Sequence, residues 1–350
     1  MGRVFQNSTS PHSTTSPEIA TLYLTEQGSV LRKQGNQLLV FKDGQKLLEV
    51  ECIKLDSILI FGNVEFTTQA LNELFEHGIE FALLTYDGEL KGQLTPVTPK
   101  NVLLRLAQYQ HTLDHAFVLA HSRRIVHAKM HNSLFVLRSY SYNRPELDLS
   151  AETAAIEQAM GQLGDAAEYH SLLGYEGAAS RAYFAALAKL VPPDFGFAGR
   201  KRRPCPDGIN ALLSLGYAIT ETRIRSILDA MGFDPYLAFL HRPEYGRTSL
   251  ALDLLEEFRQ PLVDRTVLFY VNKAAFRPGD FRYDESYGGV LLHREPFKKF
   301  LLLFDKALRK QFANAGRTAS FLEIFRTQAE SLANHLSGNG TYTPFMLKKE

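Results

Sequence analysis

The chain has 350 residues, enough at ~150 residues per domain for about two domains with substantial cores. Hydrophobic residues make up 45% and charged residues 22%, which excludes a disordered chain, while 39 Lys plus Arg against 38 Asp plus Glu give a net charge of +1 that favours no class of partner. Two cysteines, Cys52 and Cys205, exclude a disulfide scaffold and a four-cysteine zinc site and suit a reducing cytoplasm; no apolar run approaches the ~18 residues of a membrane span.

Residues 1–16 are rich in Ser and Thr, lack acids and contain no apolar h-region, so they are expected to be a disordered tail. From Pro17 the pattern becomes β-like, in TLYLT (21–25), QLLVF (37–41), KLLEVE (46–51) and SILIF (57–61), with Asp43-Gly44 as a hairpin turn. One amphipathic helix interrupts at 67–77, where Leu71, Leu74 and Phe75 share a face and Gly78 sits at the C-terminal cap position. IEFALLT (79–85) returns to strand. Residues 17–95 therefore read as a β-rich domain, and Pro96 and Pro99 mark a linker over 96–104. Helical spacing then dominates, with breaks at 191–207 and 272–288, which gives a mostly α-helical domain over 105–335 and a C-terminal tail over 336–350. The fold class is α+β with two domains.

Charge is segregated along the chain. Residues 116–145 carry Arg123, Arg124, Lys129, Arg138 and Arg144 with no acid, residues 146–168 carry six acids with no base, and GRKRRP (199–204) forms a second basic cluster. Clustered bases hold phosphates, and they are equally the solvated faces of helices.

Three places carry chemistry. In GYEGAASRAYFAAL (174–187), Glu176 is expected to start a helix, near its positive end; a plain first-turn acid reads the same way. In FDPYLAFLHRPEYG (233–246), Asp234 caps an expected short helix with Pro235 at its first position and His241 at its far end. In SLALDLLEEFRQPLVD (249–264), Leu250, Leu254, Phe258 and Leu262 form an apolar stripe, and Asp253 and Glu256 lie about 60° apart on another face. Two such carboxylates supply oxygen ligands to a hard cation, or form a solvated acidic face that Arg259 pairs with. The i, i+4 pairs His111/His115 and His127/His131 lack an HExxH pattern, and phosphate contact suits the second better than zinc. There is no GxxxxGK[ST] and no GxSxG, so the P-loop and α/β-hydrolase classes lack their marks.

Taken in order, YEGAASRAYF (175–184), RRPCPDGINALLSLGYAI (202–219), GFDPYLAFLH (232–241) and SLALDLLEEFRQPLVD (249–264) resemble a known family. It is the CRISPR-associated integrase/endonuclease of the spacer-acquisition module, the larger of the two universal adaptation proteins. ILIFGNVEFTTQALNELFEHGIEFALLTYDGEL (58–90) is also similar, and the resemblance runs over roughly residues 17–305. Cys205 interrupts the family's central Pro pair.

The resemblance implies that Glu176, His241 and Glu256 are the divalent-metal ligands and catalytic residues, with Asp253 one turn earlier as an auxiliary acid. One histidine and two carboxylates suit Mg²⁺ or Mn²⁺. The implied reaction is insertion of short DNA into a CRISPR array, by attack of a 3′-hydroxyl on a phosphodiester; attack by water gives nuclease activity. The implied partners are double-stranded and branched DNA, a second copy through the β-rich domain, and the small ferredoxin-like CRISPR adaptation protein. On charge alone, Arg123, Arg124, Lys129, Arg138, Arg200, Lys201, Arg202 and Arg203 are expected to hold DNA; Arg181 and Arg247, near the implied ligands in sequence, are expected to hold the scissile phosphate. The alternative is a catalytically silent dimeric scaffold that binds DNA ends.

Overall fold

The structure, a computed structural model, describes residues 20–94 and 101–348; the tail expected at 1–16 and the linker prolines lie outside the described residues. The chain divides into two compact units, 1–98 and 99–350.

The first unit holds β1 (Ala20–Leu24), β2 (Ser29–Gln34), β3 (Gln37–Lys42), β4 (Gln45–Glu51), β5 (Leu55–Phe61), β6 (Val64–Phe66), α1 (Thr68–Glu76), β7 (Glu80–Leu84) and β8 (Leu90–Leu94). They form two four-stranded sheets, ordered β1-β5-β7-β8 and β4-β3-β2-β6. β5 reads as an apolar run because it lies inside its sheet, parallel to β1 and β7, and is buried on both faces. The β3–β4 hairpin turns on Asp43 and Gly44, both at positive φ, as a two-residue loop of that twist requires. Thr67 caps α1 by accepting from the Ala70 N–H. Both sheets and α1 share one core, with Leu31, Leu38, Ile58, Ile60, Leu74 and Phe81 at its centre.

The second unit is mostly helical: α2 (Val102–Leu113), α3 (His115–Asn143), α4 (Ser150–Gly161), α5 (Tyr169–Leu190), α6 (Gly208–Met231), α7 (Ser249–Leu255), α8 (Arg265–Asn272), α9 (Arg294–Arg309) and α10 (Phe321–Leu336). Two short hairpins are added, β9 (Phe281–Asp284) with β10 (Gly289–Leu292), and β11 (Phe312–Asn314) with β12 (Arg317–Ala319). No helix among the described residues is long and apolar enough to cross a membrane. α6 is buried on most of its circumference. Gly216 lets it approach the 259–264 segment: a Cβ there would lie 2.6 Å from Val263 Cγ1.

Several local expectations change. Residues 101–104, expected in the linker, already enter α2, because the Asn101 side chain accepts from Leu104 N–H and starts the helix. α5 begins at Tyr169, so Glu176 sits two turns inside it rather than at its positive end; Leu172 extends the buried stripe of Ala179, Tyr183 and Leu187 backwards. Residues 234–241 form turns instead of a helix, because their backbone groups are taken by side chains from elsewhere. Gln108 accepts from Asp234 N–H and donates to the Asp234 and Leu237 carbonyls. The stretch 249–264 is two pieces: α7 ends at Leu255, and a π-helical turn spans 259–264. Pro261 within that turn has no N–H to continue an α ladder. Of residues 336–350, expected as a tail, the described ones end α10 and then pack inward: Tyr342, Phe345 and Leu347 are buried. The Asn132 amide donates to the Phe345 carbonyl and accepts from Leu347 N–H.

Candidate active site

Four elements bring one cluster together: α3 carries Lys129, α5 carries Glu176, the 234–248 loop carries His241, and the end of α7 carries Glu256. These side chains line one open cavity of about 330 Å³, with Tyr169, His170, Leu173, Arg202, Leu240, Arg242 and Arg247.

The loop histidine is held by a carboxylate beneath it. Asp253, fully buried on α7, accepts from the backbone N–H groups of Phe239, Leu240 and His241, each at 2.8 Å, and from His241 Nδ1 at 2.8 Å. A carboxylate on Nδ1 fixes the proton there and leaves Nε2 with its lone pair free. Nε2 points toward Glu256 Oε1, 3.8 Å away. Asp253 therefore acts through His241 and does not itself reach the cavity.

The Glu256 side chain is 5% exposed and has two cationic neighbours, with His241 Nε2 beside them: Arg259 Nε donates to Oε1 at 2.8 Å and Lys129 Nζ lies 2.7 Å from Oε2. Burial alone would raise this carboxyl, but Arg259, Lys129 and His241 hold it well below the usual carboxylate range. Arg259 is itself steadied by the Tyr217 ring, 4.6 Å from its guanidinium carbon. Glu176 accepts from Ser180 Oγ at 2.8 Å and from the Lys129 ammonium. Burial would lower the Lys129 ammonium, but Glu256 and Glu176 win and raise it. Lys129 thus stands as a cation between two carboxylates.

That arrangement fits a divalent ion. The ammonium marks a point where a positive charge is held by oxygens from both acids. Two ligand atoms about 2.1 Å from one ion sit roughly 3–4 Å apart, the spacing of His241 Nε2 and Glu256 Oε1. One imidazole and two carboxylates are a hard, mixed set suited to Mg²⁺ or Mn²⁺.

The basic residues divide in two. Arg202 and Arg247 line the cavity, Arg247 also pairing with Glu244 at 3.0 Å. Arg181 is exposed on α5, and Lys201 and Arg203 are exposed beside Arg202. Others expected to hold DNA are engaged within the fold. Arg123 donates to the Ala166 carbonyl at 2.7 Å, and Arg124 Nη1 lies 3.3 Å from His335 Nε2. Arg138 pairs with Glu157, and Arg200 donates to Asn210 and Ser214, each at 3.0 Å. Lys129 serves the carboxylates. His111 and His131 contact the carbonyls of Leu336 and Leu347 rather than a shared ion or an open phosphate site. Sequence reasoning missed Arg242, stacked on the Tyr169 ring at 4.9 Å, and His170. The signal for Arg242 was its place next to His241.

A β-rich unit followed by a helical unit is an architecture shared with CRISPR-associated proteins, as comparison with known proteins shows. The CRISPR associated protein Cas1 family matches residues 22–306, and this chain belongs to it. The CRISPR-associated endonuclease Cas1 3 of Thermus thermophilus is 33% identical over 335 residues, 94% of this chain and 98% of that protein. Among solved structures, a casposase bound to integration product superposes with a TM-score of 0.82 at 24% identity, covering 95% of this chain and 96% of that one. A chain of a Cas6-RT-Cas1–Cas2 complex gives 0.80 at 24% identity, covering 97% of this chain and 37% of that one. The chain therefore has the Cas1 fold, and the curated relatives it matches are named Cas1 endonucleases.

Proposed function

We propose that this protein is a divalent-metal-dependent DNA integrase/endonuclease that inserts short DNA into a CRISPR array by 3′-hydroxyl attack on a phosphodiester. The observation that carries the reading is the convergence of Glu176, His241 and Glu256 on one open cavity whose rim bears Arg202, Arg242 and Arg247. In the reaction one P–O bond forms to the incoming 3′-oxygen and one breaks to the leaving 3′-oxygen, so the number of phosphodiesters is conserved. Attack by water at the same phosphorus gives the nuclease activity.

Glu176, Glu256 and His241 Nε2 would hold Mg²⁺ or Mn²⁺, which when bound polarises the phosphodiester and stabilises the departing oxyanion. The chain's own residues do the rest. Asp253 aims His241 and keeps its proton on Nδ1. Arg259 keeps Glu256 ionised. Arg202, Arg242 and Arg247 attract and orient the phosphate at the mouth. The reading extends to branched and double-stranded DNA as substrates, to a homodimer built on the β-rich unit, and to the small ferredoxin-like partner; the solved neighbour in complex with Cas2 supports the last.

The test is a branched DNA with a free 3′-hydroxyl beside a nick, incubated with the chain and Mn²⁺. Strand rejoining is expected, lost with EDTA and in Glu176→Ala, His241→Ala and Glu256→Ala, while DNA binding persists in all three. Rejoining that survives the three substitutions would overturn the site. Tight binding without rejoining, even with the partner protein added, would favour the scaffold reading.

A further inference from the structure

A second group of ligating side chains lies in the first unit. Cys52 opens the single 3-10 turn between β4 and β5 and is buried. Glu73 and His77 stand one turn apart at the end of α1, Glu73 buried and the His77 side chain 41% exposed. A sulfur, a carboxylate oxygen and a ring nitrogen from these three lie within 4.8 Å of one another, with His77 Nε2 3.1 Å from Glu73 Oε1.

We propose that Cys52, Glu73 and His77 form a Zn²⁺ site in the β-rich unit, with the fourth position open to water beside His77. A tetrahedral ion with bonds of about 2.0–2.3 Å places its ligand atoms roughly 3.3–3.8 Å apart. The widest separation here is at most 4.8 Å, so it needs to close by no more than about 1 Å, which rotation of the exposed His77 ring and of the Glu73 carboxylate supplies. The i, i+4 spacing of Glu73 and His77 on a helix aims both side chains to one side. The donor set decides the metal: a thiolate with an imidazole and one carboxylate is softer than the active-site set and selects Zn²⁺ over Mg²⁺ or Mn²⁺.

The metal-free state is also defined. The Lys33 ammonium from β2 pairs with Glu73 and neutralises it, and its side chain is 33% exposed, free to swing outward when a dication arrives. Metal binding by a cysteine requires the thiolate, so the ion displaces the thiol proton to solvent. Binding is an exchange, with one Zn²⁺ in and the thiol proton and the Lys33 ammonium out. It ties the β4–β5 corner to the end of α1, two segments of one core.

The test uses the full chain carrying His241→Ala and Glu176→Gln, so that the catalytic pocket does not compete, stripped of metal and titrated with CoCl2. The expected result is a near-ultraviolet thiolate-to-cobalt charge-transfer band saturating at one equivalent and bleached by ZnCl2. The band disappears in Cys52→Ser and persists in Cys205→Ser. His77→Ala, at a partly exposed position that the fold tolerates, weakens Co²⁺ binding by at least about tenfold. No band, or a band unchanged by Cys52→Ser, would mean that the Lys33–Glu73–His77 ion pairs are the whole role of the cluster, and the proposal would fall.

Discussion

Asp253 accepts four hydrogen bonds with no exposed surface, and three of them come from the backbone of the loop that carries His241. Replacing it by Asn keeps the shape but turns an amide NH2 toward two N–H donors. Leaving buried donors unpaired costs about 1–3 kcal/mol. Asp253→Asn is expected to lower the melting temperature and to weaken Mn²⁺ binding by about 10–100-fold, since an orienting carboxylate on a metal-bound histidine has that effect. Undiminished Mn²⁺ affinity in a calorimetric titration would show that His241 needs no such support. Lys129 makes a complementary case. Lys129→Met leaves Glu176 and Glu256 facing each other with only Arg259 as a counter-charge. Without metal the variant is expected to be about 3 kcal/mol less stable, the scale for breaking a buried ion pair. Added Mn²⁺ is expected to raise its melting temperature more than that of the parent, because the ion replaces the missing charge. An equal rise in both would remove the ammonium from the metal position. Glu176, His241 and Glu256 stood out in the chain because their motifs occur in order. Lys129 did not, because in sequence it is one more base in an acid-free helix, and only folding turns it toward two acids.

α3 is the element on which the helical unit is assembled, and its burial is not all apolar. His121 on it is enclosed by the rings of Phe117, Phe239 and Tyr342, and neither ring nitrogen has a hydrogen-bond partner. Burial lowers its pKa to about 3, with His335, Arg124 and His111 adding repulsion. The sign follows. The unfolded histidine takes a proton below about pH 6.5 while the folded one resists it, so stability falls as pH drops from about 6.5 toward 3. The slope from this group is at most about 1.4 kcal/mol per pH unit. His121→Phe is expected to flatten the fall in urea-unfolding free energy between pH 7 and pH 5; an identical slope would assign the acid sensitivity elsewhere. The same scale shows what the sequence could disclose. Helical spacing over most of 101–330 announced the helices, and runs of apolar β-formers announced the strands. Residues 234–241 were misread because Asp234-Pro235 is a good helix start locally, while the groups that take the backbone bonds, Gln108 and Asp253, are distant or on another element. Residues 342–348 were misread because the apolar stretch YTPFMLK, following the Gly338-Asn339-Gly340 break, is too short to show a period. Its fastening lies in Asn132 and in Glu257, which accepts from Phe345 N–H at 2.6 Å and from Gln328 Nε2 at 2.8 Å.

On the scale of the whole molecule, a net charge of +1 conceals an uneven distribution. Arg123, Arg124, Arg200, Arg259 and Lys129 spend their charge on internal partners. Arg202, Arg242 and Arg247 remain at the mouth of the cavity. Phosphate contact therefore depends on which bases reach the surface beside the site, a property that a count over a stretch of sequence does not capture. DNA affinity governed by such contacts falls with salt, with a log–log slope of about −0.9 for each phosphate neutralised on duplex DNA. Removing all three arginines is expected to weaken binding at low salt and to flatten that slope by up to about 3, one unit or slightly less per lost contact. Arg138→Ala is the informative comparison: it removes a base from the acid-free stretch 116–145, but one that does not line the cavity. It is expected to leave both affinity and slope nearly unchanged in filter-binding titrations across a salt series. Equal losses from Arg138→Ala and from the triple variant would mean that DNA follows the exposed face of α3 and not the rim of the cavity, and the phosphate path would have to be redrawn along that helix.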